Sequence, residues 1–414
     1  MLCTFNLISL CLKNESYTKG QKLAAKIIYL HCLQEIIWFD NILLVFLNPV
    51  NYFCCRNCSR TEFFSNIISN SYLPNMLQLT FKVVEYTFKQ PFRISKGVKT
   101  KQPALLLSLD FKNLFRGYGE TTEIAYYNNS VDEMAGLLAK KKRLIEHYAM
   151  NGPERFWHYL HHLLPAQNFL ISALDMAGWD LWAKMSAESV QSLMGLSNVH
   201  NPLTDYTIGI GSPDEIREKV KAQPWPIYKL KVGGEQDKEN LLALREAAPE
   251  AVIRLDANEA WDIEKAKALL PTLEDCKVEL IEQPFHRADT ENLKKFRQET
   301  DIPIIADEAC QEETDLIRCL TQYDGVNIKL SKCGGLTPAL RMIKIIRDSG
   351  KKVMLGGMCE GNIGATALAQ LLPLADYADI DGPLLIDYSP GMGLEIKNGV
   401  ITLPYGPGFG LRFK

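Results

Sequence analysis

The pattern of hydrophobic and polar positions divides the chain near residue 76. From there Leu77, Leu79, Phe81 and Val83 alternate with Gln78, Thr80 and Lys82, the period expected of a half-buried strand. From about Asp205 one phrase repeats: a short β-branched apolar run, a polar or charged residue, then a stretch rich in Ala, Leu, Glu and Lys. Eight runs carry it: Tyr206–Gly211, Tyr228–Val232, Val252–Ala257, Val278–Gln283, Ile302–Asp307, Gly325–Leu330, Lys352–Gly356 and Tyr377–Asp381. Strand and helix in alternation imply parallel strands, and eight of them imply a closed barrel. The polar residues 231, 256, 282 and 307 stand 25, 26 and 25 residues apart, a spacing that holds one strand, one helix and two short loops.

Residues 1–75 read differently. They are rich in Asn, Ser, Cys, Ile and Phe, with neither strand alternation nor a helical stripe that would build a second core. The most apolar stretch, Ile36–Leu47, is interrupted by Asp40, short of the roughly 20 apolar residues that span a bilayer. Met1–Leu12 has no basic region of the kind that opens a secretory signal. The expectation is an extension outside the fold, translated from an early start, with the functional chain beginning at Met76.

Composition narrows the classes of function. A formal net charge of -3 leaves no basic stripe to neutralise phosphates, which argues against nucleic acid. The glycine pairs Gly233-Gly234 and Gly334-Gly335 lack the spacing of a nucleotide-binding fingerprint and read as turns. Six of eleven cysteines (Cys3, Cys11, Cys32, Cys54, Cys55 and Cys58) precede Met76 and the rest are scattered, a usage that suits a reducing cytosol. Cys55 and Cys58 form a CxxC pair with no second pair at zinc-ligand spacing, so no zinc site is expected there.

The chemistry lies at the strand ends: Lys229 and Lys231, Asp256, Glu282, Asp307, Lys329, and Asp379 with Asp381. Each alone reads as a solvated residue at a strand-to-loop junction. Eight together, on six strands, fall on the C-terminal face, where barrels of this kind hold their active sites. Asp256, Glu282 and Asp307 come from successive strands and converge on one point. Three carboxylates without His or Cys suit Mg²⁺ or Mn²⁺ rather than zinc. Strands two and six lie on opposite sides of the ring, so Lys231 and Lys329 face one substrate carbon from two sides. Burial and neighbouring cations are expected to lower a lysine pKa enough for it to act as a base. Strand eight lies opposite strand four, so Asp379 and Asp381 face the metal across the mouth.

Five phrases then resemble the enolase superfamily, and its muconate-lactonizing subgroup in particular: Tyr-Lys-Leu-Lys-Val-Gly at 228–233, Leu-Asp-Ala-Asn-Glu-Ala-Trp at 255–261, Ile-Glu-Gln-Pro at 281–284, Ala-Asp-Glu at 306–308 and Asn-Ile-Lys-Leu at 327–330. The resemblance runs from about Met76 to the C-terminus. It implies an α/β fold: an α+β capping domain over 76–200, a (β/α)₇β barrel over 201–390, and a tail over 391–414 that returns to the cap. It implies Lys231 and Lys329 as the acid/base pair, Asp256, Glu282 and Asp307 as metal ligands, and Lys229 as a holder of the substrate carboxylate. The implied reaction is removal of the α-proton through an enediolate stabilised by the metal, then return of a proton to the other face.

Within the family, Asp379-Ile380-Asp381 resembles the signature of dipeptide epimerases, with the acidic pair holding a free N-terminus. The segment 90–101 resembles the family's mobile lid and is basic here. Arg93, Lys96, Lys99 or Lys101 would receive an acidic side chain, as in an L-Ala-D/L-Glu epimerase of peptidoglycan recycling. Thr207, Glu308 and Ser331 also fall at strand ends and join the candidate lining. The alternatives are an o-succinylbenzoate synthase, an N-succinylamino acid racemase or a cycloisomerase of the same subgroup, whose substrates lack the amine that two carboxylates would pair with. An inactive barrel kept for binding is the non-enzymatic alternative. The expected setting is a cytoplasmic homo-oligomer without membrane or nucleic-acid partners, acting on a dipeptide.

Overall fold

The computed structural model describes residues 77–196 and 201–413. The expectations for residues 1–75, for a start at Met76 and for the Cys55/Cys58 pair lie outside the described residues. The chain opens with an antiparallel meander, β1 (Leu77–Ile94), β2 (Gly97–Phe111) and β3 (Phe115–Thr122), paired in that order. Three helices follow, Val131–Glu146, Pro153–Leu163 and Asn168–Met185. Ser130 caps the first by accepting a hydrogen bond from Glu133 N at 3.2 Å. The third is buried on nearly every side, from Phe169 to Ala183, as a helix between two layers must be. It approaches β3 so closely that a Cβ on Gly119 would lie 1.8 Å from Ala173 O, which explains a glycine inside that strand.

The β1 alternation holds only for its first half. Leu77 and Leu79 are buried in the core beneath the cap helices, but Val83 is 44% exposed. Beyond it the even residues turn inward, and Tyr86 and Phe88 pack with Ala104 and Ile386 in a separate cluster. The register with β2 is unbroken from Leu77 to Thr87, so the strand does not slip. One face serves the cap core and the other meets the barrel mouth.

The segment 90–101 is not a loop. After an irregularity between Thr87 and Phe92, β1 pairs on through Ile94 opposite Gly97, and the chain turns at Ser95-Lys96. Gly97 has φ +134°, a conformation only glycine adopts at no cost. Pro91 and the run of lysines conceal a hairpin because charged residues at an exposed edge obscure the strand period.

The barrel is β4 (Tyr206–Ile208), β5 (Ile227–Lys231), β6 (Val252–Asp256), β7 (Val278–Glu282), β8 (Ile304–Ala306), β9 (Gly325–Ile328), β10 (Lys352–Gly356) and β11 (Tyr377–Asp379), parallel and in sequential order. A bridge between Thr204 and Ala378 joins its two ends. Helices fill the seven connections, so the expected (β/α)₇β barrel with an α+β cap is the observed fold. Local sequence supports each unit. Ser212 and Glu215 form a reciprocal capping box ahead of Pro213, and Asp262 caps Ile263–Asp275 through Lys265 N at 2.8 Å. The main core lies between strands and helices. Inside the ring only Leu280, Ile305 and Met354, with Tyr377 against them, form an apolar plug. Above the plug the strand ends carry Lys231, Asp256, Glu282 and Asp379, and several strands end earlier than their apolar runs because the last residues leave the ladder for the mouth.

After β11 a short hairpin, β12 (Glu395–Lys397) and β13 (Val400–Thr402), precedes a tail that runs back to the cap. Phe409 N donates to Asp180 Oδ1 at 2.8 Å, and the Phe413 ring packs on Tyr118 at 4.1 Å. Among the described residues no helix is long and apolar enough to cross a membrane.

Candidate active site

Asp256 and Glu282 are register partners at the ends of β6 and β7, and Asp307 follows β8. One oxygen from each lies within 4.8 Å of the others, and all three side chains are buried. Glu282 Oε2 has no hydrogen-bond partner, although Lys229 Nζ approaches it at 2.6 Å off the required angle. Burial, then the Asp256 charge, pushes the Glu282 carboxyl up to about 7. Hard oxygen donors in a tight, buried triad with no His or Cys fit a small divalent cation such as Mg²⁺ or Mn²⁺.

Lys231 ends β5, its Nζ 2.5 Å from Asp256 Oδ2. Lys329 follows β9, its Nζ donating to Asp307 Oδ2 at 2.7 Å. The strands are four places apart in the ring, and both lysines line one cavity at the barrel mouth. The expectation of a lowered lysine pKa does not hold for Lys329. Burial pulls it down, but Asp307 and Glu282 outweigh burial and hold the ammonium well above its usual range. The carboxylates a metal would neutralise are also the lysine's counterions.

Lys229 is wholly buried and does not line the cavity. Its Nζ lies 3.1 Å from Asp256, 2.6 Å from Glu282 and 2.6 Å from Asp379, so it is a cation beneath the site and not a contact for a substrate carboxylate. Asp379 and Asp381 do line the cavity, with Thr207. Thr207 N donates to Asp381 Oδ2 at 2.6 Å, and its hydroxyl to Asp379 Oδ1 at 3.4 Å. Burial raises both acids. Lys229 and Lys231 outweigh it at Asp379, which stays below its usual range, while the Asp379 charge adds to it at Asp381, pushed up to about 7. An approaching ammonium would find one fixed anion and one that gains its charge on contact.

Of the hairpin cations, Lys99 lines the cavity, with Gln102 Oε1 at 3.1 Å, and burial lowers its pKa. Arg93 does not line it. Its exposed side chain points elsewhere, and its backbone carbonyl accepts from Ile210 N at 2.8 Å. Lys101 pairs with Glu85 at the surface. Lys96 lies across the rim, 2.9 Å from Glu259 and 3.3 Å from Glu308, over the Tyr126 ring at 4.3 Å. Ser331 is buried behind the site and meets Glu360 at 3.4 Å. Phe92, Ile94, Ile124, Met358 and Leu385 make the remaining wall apolar.

Two residues escape the reading of the sequence. Asn327 donates from Nδ2 to Glu282 Oε1 at 2.7 Å, and Lys332 donates to Asp307 Oδ1 at 2.6 Å. Asn327 was within reach, since it lies two residues before Lys329 and a strand repeats its facing every second residue. Lys332 belongs to a single helical turn, Leu330–Cys333, too short to carry a period.

Comparison with known proteins agrees with this geometry. The model of the mandelate racemase / muconate lactonizing enzyme N-terminal domain matches residues 78–195, and that of the enolase C-terminal domain-like family matches 212–414. An L-Ala-D/L-amino acid epimerase of Flavobacterium johnsoniae is 38% identical over 326 residues, covering 79% of this chain and 96% of the relative. An L-Ala-D/L-Glu epimerase of Bacteroides thetaiotaomicron is 31% identical over 330 residues, covering 79% and 85%. A dipeptide epimerase of Cytophaga hutchinsonii, solved with Mg and D-Ala-L-Val, superposes with a TM-score of 0.76 at 28% identity, covering 82% of this chain and 96% of that one.

Proposed function

This chain belongs to the enolase superfamily, in its mandelate racemase / muconate lactonizing branch, and from that premise we propose that it is a Mg²⁺-dependent dipeptide epimerase inverting the α-carbon of the C-terminal residue. The observation that carries the reading is the pair Lys231 and Lys329, opening into one cavity from strands four places apart. Asp256, Glu282 and Asp307 would hold Mg²⁺, which would supply positive charge to the substrate carboxylate and offset the attraction that keeps Lys329 protonated. One lysine takes the α-proton as the C–H electron pair moves toward the carboxylate, and the other returns a proton to the opposite face. Asp379 and Asp381 hold the free amine, with Thr207 fixing both carboxylates. Lys229 keeps three acidic groups, Asp256, Glu282 and Asp379, in register from below.

Among the described residues, the only cation on the cavity wall besides the two acid/base lysines is Lys99, which favours an acidic C-terminal side chain and the conversion of L-Ala-L-Glu to L-Ala-D-Glu. The apolar wall around it supports a second reading, in which hydrophobic dipeptides are also turned over. N-succinylated substrates fit less well, since they bring no amine to Asp379 and Asp381. On the favoured reading the enzyme works in peptidoglycan recycling in the cytoplasm as a homo-oligomer, a setting supported by five unpaired cysteines among the described residues. Residues 76–200, 201–390 and 391–414 serve it as cap, barrel and returning tail.

The test is incubation with L-Ala-L-Glu and Mg²⁺ in deuterated water. Deuterium should enter the Glu α-carbon as the D-epimer accumulates, and Lys231→Ala or Lys329→Ala should each lower turnover about 10²–10⁴-fold, the usual worth of a general acid or base. Absence of exchange with every dipeptide tried, or unchanged turnover in either variant, would overturn the assignment.

A further inference from the structure

Each carboxylate of the triad has one oxygen committed to a donor away from the acid/base lysines. Asp256 Oδ1 accepts from Asn258 N at 2.9 Å, Glu282 Oε1 from Asn327 Nδ2 at 2.7 Å, and Asp307 Oδ1 from Lys332 Nζ at 2.6 Å. The second oxygen of each, Asp256 Oδ2, Glu282 Oε2 and Asp307 Oδ2, meets Lys231, Lys229 and Lys329. The division repeats on three strands with three different donors.

Two of those donors are buried side chains, Asn327 and Lys332. Asn327 is fully buried and leaves its own Oδ1 without a partner. Gly356 makes room for the amide, since a Cβ there would come within 2.6 Å of both its oxygen and its nitrogen. A flipped amide would set oxygen against carboxylate, so only the donating orientation is tenable. Lys332 is 3% exposed, and its ammonium also donates to the backbone carbonyls of Asp307 and Cys310 at 2.6 and 2.9 Å. Lys329, by contrast, has one partner on the same carboxylate and faces the cavity.

We infer that Asn327 and Lys332 are positioning residues that confine Glu282 and Asp307 to one metal-facing oxygen each, and thereby bias the site toward Mg²⁺ over Ca²⁺. Three single oxygens leave three further positions for water and substrate, the six that Mg²⁺ demands in near-ideal octahedral geometry, whereas Ca²⁺ gains from carboxylates that bind through both oxygens. Partners behind a ligand commonly hold 10- to 100-fold in metal affinity. The inference rests on the reading that the triad holds the metal.

Titration calorimetry of the purified full chain with Mg²⁺ alone and Ca²⁺ alone tests it, with no dipeptide present, so the outcome does not depend on the epimerase assignment. In Asn327→Ala the Mg²⁺ Kd should rise at least tenfold and the ratio of the two Kd values should move at least tenfold toward Ca²⁺. Lys332→Met should move the ratio the same way. Both ions carry two charges, so loss of the lysine charge acts on them alike and the ratio reports ligand geometry. If Asn327→Ala does not fold, Lys332→Met decides by the same ratio. A ratio within threefold of wild type overturns the inference, as does a parallel loss of both ions. A wild-type chain that binds neither ion overturns the metal site itself.

Discussion

Replacing Lys96 by Met should release the tip of the β1–β2 hairpin from the barrel rim. Met keeps the length of the stem and removes the charge. Three contacts are lost: the ion pair with Glu259, the bond to Glu308 and the approach to the Tyr126 ring. Glu308 has a fully buried side chain, and a hydrogen bond to such a charged group contributes about 1.5–3 kcal/mol. The Lys96 side chain is 22% exposed, which reduces the Glu259 pair to at most ~1 kcal/mol, and Arg287 still holds Glu259. The ring adds about 0.5–1 kcal/mol. Set against the entropy the freed tip regains, a net of about 2 kcal/mol remains, or roughly 30-fold in the docked population. The reporter is the Ile210 amide, whose hydrogen bond to Arg93 O ties the barrel to the hairpin just ahead of its tip. Hydrogen exchange at the peptide around Ile210 should accelerate roughly 30-fold, with Leu105 and Leu107 in β2 unchanged. Wild-type exchange at Ile210, or acceleration spread over the whole barrel, would refute the latch.

Asp381→Asn should raise KM for dipeptides at least tenfold and remove most of the preference over their N-acetylated forms, with a smaller change in kcat; a KM ratio that stays put would detach the acidic pair from amine recognition. Burial pushes Asp175 up to about 7 despite its bonds from Thr337, so the folded state holds a proton that the unfolded chain releases near 3.8. Its contribution is fully present below pH 3.8, falls as pH rises through about 7, and amounts to an order of 4 kcal/mol; Asp175→Asn should flatten urea midpoints measured between pH 4 and 7 relative to wild type. Gly408→Ala would set a Cβ 2.1 Å from Asp180 Oδ1 at φ +70°, and should free the tail from the cap, lower the melting temperature and expose Tyr118 fluorescence to quencher.

Much of the architecture was legible because barrel strands announce themselves twice, by an apolar run and by the polar residue ending it. That double signal locates β5 to β9 to within a few residues and groups Asp256, Glu282 and Asp307 at neighbouring strand ends. Depth was not legible. Lys229 and Lys231 share a face, yet one ammonium lies below the carboxylates and the other opens into the cavity, a difference of one layer that a period of two cannot express. Charge balance was not legible either, since the Lys329 proton depends on angstroms to Asp307 and not on residue type. Pro91 and four basic residues hid the hairpin, and the reversal of faces at Val83 was invisible because Val83 and Val84 are equally apolar.

That reversal along β1 has a consequence for how such an enzyme diversifies. The residues that fold the cap, Leu77 and Leu79, belong to the cap core, whereas Phe92, which with Ile94 shapes the cavity, packs against the separate cluster around Tyr86 and Phe88. Substitutions at 92 and 94 can therefore be sampled without eroding the nucleus on which the cap depends, and changes at distant sites of this kind tend to add. A selection for new dipeptides could randomise the far end of β1 while the near end keeps the scaffold standing, so that specificity drifts along a strand whose root stays fixed.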